Sequence, residues 1–345
     1  MQLKIKALGN IITIIAACFL TACPSGQASE QPSEGQYSTD NITVADTPLF
    51  PIYENGKFGY IDIAGKVVIT PKFDHAESFS EGLALVTVKV GNAYKRGYID
   101  KAGNYAIKPQ FDVAFPFSEG LAAVLVGDSG TGKYGYIDKT GKTVINPQFE
   151  FAFGFTEGLA VAWVEDWETD KRGYIDKTGQ MVIKPQFDYA YSFTEGLADV
   201  VIGDFETIKH GYIDKTGNFV IKPQFDSADS FSEGLAVVRV GDSETGMWGY
   251  IDNTGQMVVN PQFDEAENFS GGLALVRIGG KYGYIDKTGK IVINTQFVEA
   301  EDFSESLAVV LIGDEETGKY GYIDTTGKIA INPEFDHARP FIEGL

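Results

Sequence analysis

The chain has 345 residues, 43% of them apolar and 13% aromatic, and a formal net charge of −20. That apolar content is ample for a continuous core and excludes a disordered chain. The acidity excludes a nucleic-acid binder, because phosphate contacts need clustered Lys and Arg; it suits a soluble, self-repelling surface or a cationic partner.

In chain order, residues 1–22 read as a targeting segment. Lys4 and Lys6 give a positive start, Ile11 to Leu20 form an apolar stretch, and Thr21-Ala22 are small. The stretch is far short of the ~20 residues that a membrane span needs. Leu20-Thr21-Ala22-Cys23 resembles a bacterial lipobox. The resemblance implies cleavage before Cys23, diacylglycerol on its thiol and acylation (palmitate class) of the new amino terminus. A lipid-anchored place on a bacterial envelope membrane follows, on the periplasmic or the extracellular face; two or more acyl chains make such anchoring stable. Cys18 leaves with the signal, so neither a disulfide nor a cysteine metal cluster is expected afterwards. Residues 23–48 then comprise the lipidated Cys and a flexible tether rich in Ser, Gln, Glu, Gly and Asp, with no apolar pattern to bury.

Residues 49–345 are repetitive. Gly-Tyr-Ile-Asp occurs at Gly59 and returns at Gly97, Gly135, Gly173, Gly211, Gly249, Gly283 and Gly321, in steps of 38 residues with one step of 34. A fixed period of that size signals eight copies of one structural unit. Each copy opens on a leucine, and Leu235-Ala-Val-Val-Arg-Val240 shows the pattern: Ala236, Val238 and Val240 alternate as small apolar residues, which predicts a strand with one buried face. A loop follows, Gly241 to Gly246 here but only Gly279-Gly280 or Asn55-Gly56 elsewhere. Such pairs accept positive φ at both central positions and predict a tight hairpin into the Gly-Tyr-Ile-Asp strand.

The aspartates Asp62, Asp100, Asp138, Asp176, Asp214, Asp252, Asp286 and Asp324 each precede a glycine by three residues. That is the chemistry of a three-residue hairpin with a bulge, and eight equivalent copies do not make an active site. A third strand, Met257-Val-Val in the sixth copy, is expected to stop before Pro261, which has no N–H for the ladder. Phe-x-x-Ala-x-x-Phe comes next, as in Phe263, Ala266 and Phe269. Its spacing fits a short helical turn or a looped fourth strand, and its rings are expected to form the core between units.

These units resemble bacterial WG repeats, named for a Trp-Gly pair at the start of the second strand. Only Trp248-Gly249 matches the pair literally; Phe58, Tyr134, Tyr282 and Tyr320 keep an aromatic residue, whereas Arg96, Arg172 and His210 depart from it. The resemblance implies an all-β repeat fold of exported or surface proteins and carries no established catalytic residues. The expected architecture is eight tandem antiparallel units of ~38 residues in a closed eight-bladed β-propeller, because the first and last units lack atypical polar caps. An open β-repeat array or solenoid is the alternative.

In a repeat protein, function resides in what the copies do not share. Position five of the first strand carries Trp163, Arg239 and Arg277, and position three of the fifth unit carries Asp199. Were this strand the innermost of a ring, they would face a ligand in the channel; otherwise they pack between blades. Trp167 sits in a hairpin loop among Glu165, Asp166 and Glu168, where an indole could stack on a sugar or a partner, or anchor the loop. The candidate ligand-binding residues are therefore Trp163, Trp167, Arg239, Arg277 and Asp199. No catalytic residue, metal site or cofactor is expected: no EF-hand pattern, nucleotide fingerprint or Ser/His/Asp constellation is present. The expected function is a non-catalytic binding or scaffolding module with a protein or glycan partner, attached to a membrane through Cys23. A glycan or host-surface adhesin is the alternative, and a carboxylate-pair hydrolase the third reading.

Overall fold

The structure, a computed structural model, describes residues 48–127, 130–164, 171–203, 207–304, 306–314 and 316–338. The signal segment, Cys23, the tether up to residue 47 and Trp167 lie outside them.

The turns come first, because they are local. In the fourth copy, Asp176 Oδ1 accepts hydrogen bonds from the Thr178 and Gln180 amides at 2.9 and 3.1 Å and from the Thr178 hydroxyl at 2.6 Å. Gly179, at φ 83°, donates its N–H to the Asp176 carbonyl. The Thr178 hydrogen bond and the turn amides hold this carboxyl below its ordinary range. The same contacts recur at Asp138, Asp214, Asp252, Asp286 and Asp324. One oxygen of each of these carboxylates is thus engaged by its own turn.

The chain therefore doubles back on itself. In the fourth copy the first strand Leu159–Trp163 pairs antiparallel with the second, Arg172–Asp176, which pairs with the third, Met181–Phe187. The third strand does not stop before its proline. Arg172 and Tyr174 lie opposite Phe187 and Ile183, so two steps on one side face four on the other. Lys184-Pro185-Gln186 bow outward as a bulge, where a residue without an N–H breaks no ladder bond. The bulge leans on Gly173, whose missing Cβ would sit 2.4 Å from the Ile183 carbonyl oxygen.

Phe-x-x-Ala-x-x-Phe is the step from one blade to the next. Phe187 ends the third strand of blade four, whereas Ala190 lies in a two-residue strand, Tyr189–Ala190, that pairs with the first strand of blade five (Ala198–Ile202). Phe193 then packs back on Tyr174 with ring centroids 4.9 Å apart. Sheets of four strands arise this way in blades two and four to seven; blades one, three and eight are three-stranded. In blades three and eight, single bridges at Ala114 and Ala300 replace the short strand. The fold is all-β, with eight antiparallel blades in the arrangement of an eight-bladed β-propeller.

The core sits between consecutive blades. Leu159, Val161, Tyr174, Ile183 and Phe187 of blade four are buried against Ala190, Phe193, Ala198, Val200 and Ile213 of blade five. Ala160 and Ala162 pack the other way, against Ala123, Tyr136 and Phe149 of blade three. Both faces of the first strand are thus buried, not only the even positions that the alternation indicates. Each fully buried aromatic ring contributes about 1.5–3 kcal/mol relative to exposure.

The described residues divide into two compact units, 48–110 and 111–338. The first holds blades one and two, with Tyr60, Ile69 and Phe73 buried on Ala76, Phe79 and Ala84. The second holds blades three to eight.

One polar contact repeats inside this core. In blades one to seven the tyrosine of Gly-Tyr-Ile-Asp is fully buried. In blades one and three to seven its hydroxyl donates to a carbonyl 17 residues on, as in Tyr136 to Phe153 at 2.7 Å, Tyr174 to Tyr191 at 2.8 Å and Tyr250 to Glu267 at 2.8 Å. Burial pushes these phenols well above their ordinary pKa, so they stay protonated donors. Tyr250→Phe leaves the Glu267 carbonyl without its donor and is expected to destabilise the protein by about 1–2 kcal/mol, read as a lower denaturant midpoint at unchanged slope. An unchanged midpoint would show that the hydroxyl contributes nothing to holding the crossover.

Candidate functional site

The tyrosine strap fixes the backbone of the residue after Ala in Phe-x-x-Ala-x-x-Phe, and there the side chains change from copy to copy. Along blades four to eight that residue is Phe153, Tyr191, Asp229, Glu267 and Glu301, each held through its carbonyl by Tyr136, Tyr174, Tyr212, Tyr250 and Tyr284. The residue before Ala follows the same trend: Phe151, Tyr189, Ser227, Glu265 and Glu299. One frame thus presents an aromatic group on blades four and five and an acidic one on blades six to eight.

The aromatic part is open to solvent. Phe153, Tyr189 and Tyr191 are 43%, 50% and 47% exposed. Phe151 and Phe153 stack edge-on at 4.8 Å, and Phe115 of blade three joins them at 6.0 and 6.5 Å. Phe115, Phe151 and Phe153 thus form one ring group, and grouped exposed rings mark a contact surface more often than scattered ones do. In the acidic part, Asn268 Nδ2 donates to Asp229 Oδ2 at 3.0 Å. Burial, then the like charges of Asp302, Asp229 and Glu265, raise the Glu267 carboxyl above its usual range; burial and Glu301 do the same to Asp302.

Comparison with known proteins fixes the family. The WG-containing repeat family matches residues 58–89, 97–129, 134–165, 173–204, 211–242, 248–282, 282–315 and 320–345. The chain belongs to the WG-containing repeat family.

In this WG-repeat chain, the residue before the glycine lies across the ladder from position five of the first strand. Arg239 faces Trp248, and Arg277 faces Tyr282, each guanidinium 5.5 Å from the ring centroid. Blade four exchanges the two: Trp163 faces Arg172, whose guanidinium lies 4.8 Å from both the Trp163 and the Tyr189 rings. The departure from the WG pair at Arg172 therefore keeps the cation–π contact with its ends reversed. Arg277 also donates to Glu265 Oε1 at 2.6 Å, and the Tyr282 hydroxyl donates to Glu265 Oε2 at 2.7 Å.

These contacts locate the residues singled out from sequence. The first strand is an interior strand of its sheet, between the short strand and the second. Arg239 and Arg277 are engaged with the Trp248 and Tyr282 rings, and Trp163 with the Arg172 guanidinium. Asp199 is only 2% exposed, which removes its carboxylate from the surface. Its oxygens lie 2.9 and 3.1 Å from His210 Nδ1, and burial pushes the carboxyl above its ordinary range against the opposing pull of His210. Trp167 lies outside the described residues. Sequence reading passed over Phe153, Tyr191, Glu267 and Glu301; the readable signal was an invariant Phe-x-x-Ala-x-x-Phe frame whose inner residues swing from aromatic to acidic.

No curated protein matches the chain. Among solved structures, the tricorn protease aligns at 12% identity and TM-score 0.26 over 79% of this chain and 33% of its own. TolB from Acinetobacter baumannii aligns at 13% and 0.35 over 62% and 63%, and a prolyl endopeptidase at 12% and 0.45 over 74% and 47%. The chain spans less than two thirds of the length of each.

Proposed function

We propose that this WG-repeat protein is a non-catalytic binding or scaffolding module, lipid-anchored to a bacterial envelope membrane through Cys23. The observation that carries the binding reading is the row of inner positions from Phe153 to Glu301. One repeated tyrosine strap holds their backbone, their side chains differ from blade to blade, and the aromatic members are exposed. A catalytic role has less support, since the repeated aspartates are engaged by their own turns and Asp199 is buried. Anchoring rests on Leu20-Thr21-Ala22-Cys23.

The test is cross-linked capture from cells, comparing wild type with Phe153→Ala/Tyr191→Ala, alongside membrane fractionation of Cys23→Ser. Loss of a specific cross-linked partner in the double variant, and release of Cys23→Ser from the membrane pellet, are the expected results. An identical set of partners in both proteins would remove the inner row as the binding surface. Capture of a defined glycan, lost in the same variant, would favour adhesion instead.

A further inference from the structure

Blades seven and eight carry the same parts, with one missing. In blade seven, Arg277 at position five is clamped by the Tyr282 ring and the Glu265 carboxylate, and Tyr282 and Glu265 are themselves hydrogen-bonded. In blade eight, Tyr320 occupies the place of Tyr282, and its hydroxyl donates to Glu299, which occupies the place of Glu265. Position five is Leu311, whose amide donates to the Glu299 carbonyl at 2.9 Å. The tyrosine–glutamate pair is present, and among the described residues no guanidinium joins it.

The place is also hollow. A recess of about 160 Å3 lies there, lined by Tyr282, Glu299, Ala300, Glu301, Val309 and Tyr320. Two tyrosines and two glutamates line it, and among the described residues no basic side chain does. A guanidinium is planar, weakly hydrated and matched to both ring faces and carboxylate edges, whereas an ammonium is a compact, strongly hydrated point charge. The molecule already solves this recognition problem internally at Arg277, and again where Arg172 lies on two rings.

We propose that the recess between blades seven and eight binds the guanidinium of an arginine-bearing ligand, taking externally the group that Arg277 supplies internally one blade earlier. Glu299 and Glu301 pair with it, and Tyr320 and Tyr282 flank it. The inference rests on the binding reading above and names its ligand chemistry. An arginine side chain in a partner's extended segment and free arginine share that chemistry.

The experiment titrates the purified full-length chain with acetyl-Gly-Arg-Gly-amide, its lysine counterpart and free L-arginine, by calorimetry or NMR. Saturable binding of the arginine peptide, at least about tenfold tighter than the lysine peptide, is expected. Glu299→Gln is expected to weaken it at least about tenfold. Leu311→Arg, which imports the blade-seven arrangement, is expected to fill the recess from within and abolish binding. Its circular-dichroism melt checks folding, and Arg239 and Arg277 at the same position show that the blade accepts the side chain. Asp242→Asn, in a distant acidic hairpin loop, controls for net charge and is expected to bind as wild type.

If the peptide binds and free arginine does not, the ligand is a protein segment; the reverse identifies a small molecule. Equal titration of the arginine and lysine peptides, unaltered binding by folded Leu311→Arg and Glu299→Gln, or no saturable response to either arginine probe would overturn the proposal. Such a failure leaves partner capture through Phe153 and Tyr191 standing or falling on its own cross-linking result.

Discussion

Gly173→Ala is expected to destabilise the protein at or beyond the upper end of the ~1–3 kcal/mol typical of overpacking. The added methyl would meet the Ile183 carbonyl oxygen at 2.4 Å, the Pro185 nitrogen at 2.8 Å and the Lys184 carbonyl carbon at 2.9 Å. All three are backbone atoms of the bulge, so no side chain can rotate aside. The bulge would have to flatten, which would shift Phe187 off Tyr174 and open the core toward blade five. The matched control is Gly130→Ala, in the hairpin loop of blade three, where an added Cβ meets nothing within 4 Å. Calorimetric melts are expected to place Gly173→Ala several degrees below wild type and Gly130→Ala beside it. Coincident melts of all three would refute the close approach of the third strand to the second.

Asp199→Val/His210→Tyr is expected to act in the opposite direction, stabilising the protein. Position three is Val161, Val237 and Val309 in other blades, each buried, so the cavity already suits valine. Tyr320 likewise stands in blade eight where His210 stands in blade five, and replacing both members of a buried pair by less polar residues of similar size is commonly neutral or stabilising by about 1–4 kcal/mol, whereas removing one member alone is destabilising. The sign with pH follows from the carboxyl. Its folded pKa lies above its ordinary value because burial disfavours the anion. Its contribution is therefore complete below the unfolded value near 3.8 and is lost as pH rises through the folded one. The advantage of Asp199→Val/His210→Tyr over wild type should widen from about pH 4 to neutrality. A variant less stable than wild type at pH 7 would instead show that the contact with His210 outweighs the desolvation of the carboxylate.

The two residues of that pair show why part of the design was hidden. Asp199 and His210 are eleven apart and lie diagonally across the ladder, Asp199 opposite Tyr212 and His210 opposite Val201. Only the register of the hairpin puts them on one face. The exchange of Trp163 and Arg172 has the same origin, being a cross-strand pair with a third ring, Tyr189, delivered by the following blade.

What the sequence determined by itself was everything enforced within a few residues. The Asp-x-x-Gly turns, the Asn-Gly and Gly-Gly hairpins and the period of 38 specify eight antiparallel modules, because turn chemistry is local and recurs with the repeat. Only the tertiary structure decided where Phe-x-x-Ala-x-x-Phe belongs, why Gly173 tolerates no side chain, and that both faces of the first strand are buried. Those outcomes depend on which blade comes next and on a bulge that slips the register by two residues, and neither is encoded at short range. The proposed binding surface falls on the same side of that divide: residues nearly forty apart along the row meet only when successive blades pack together.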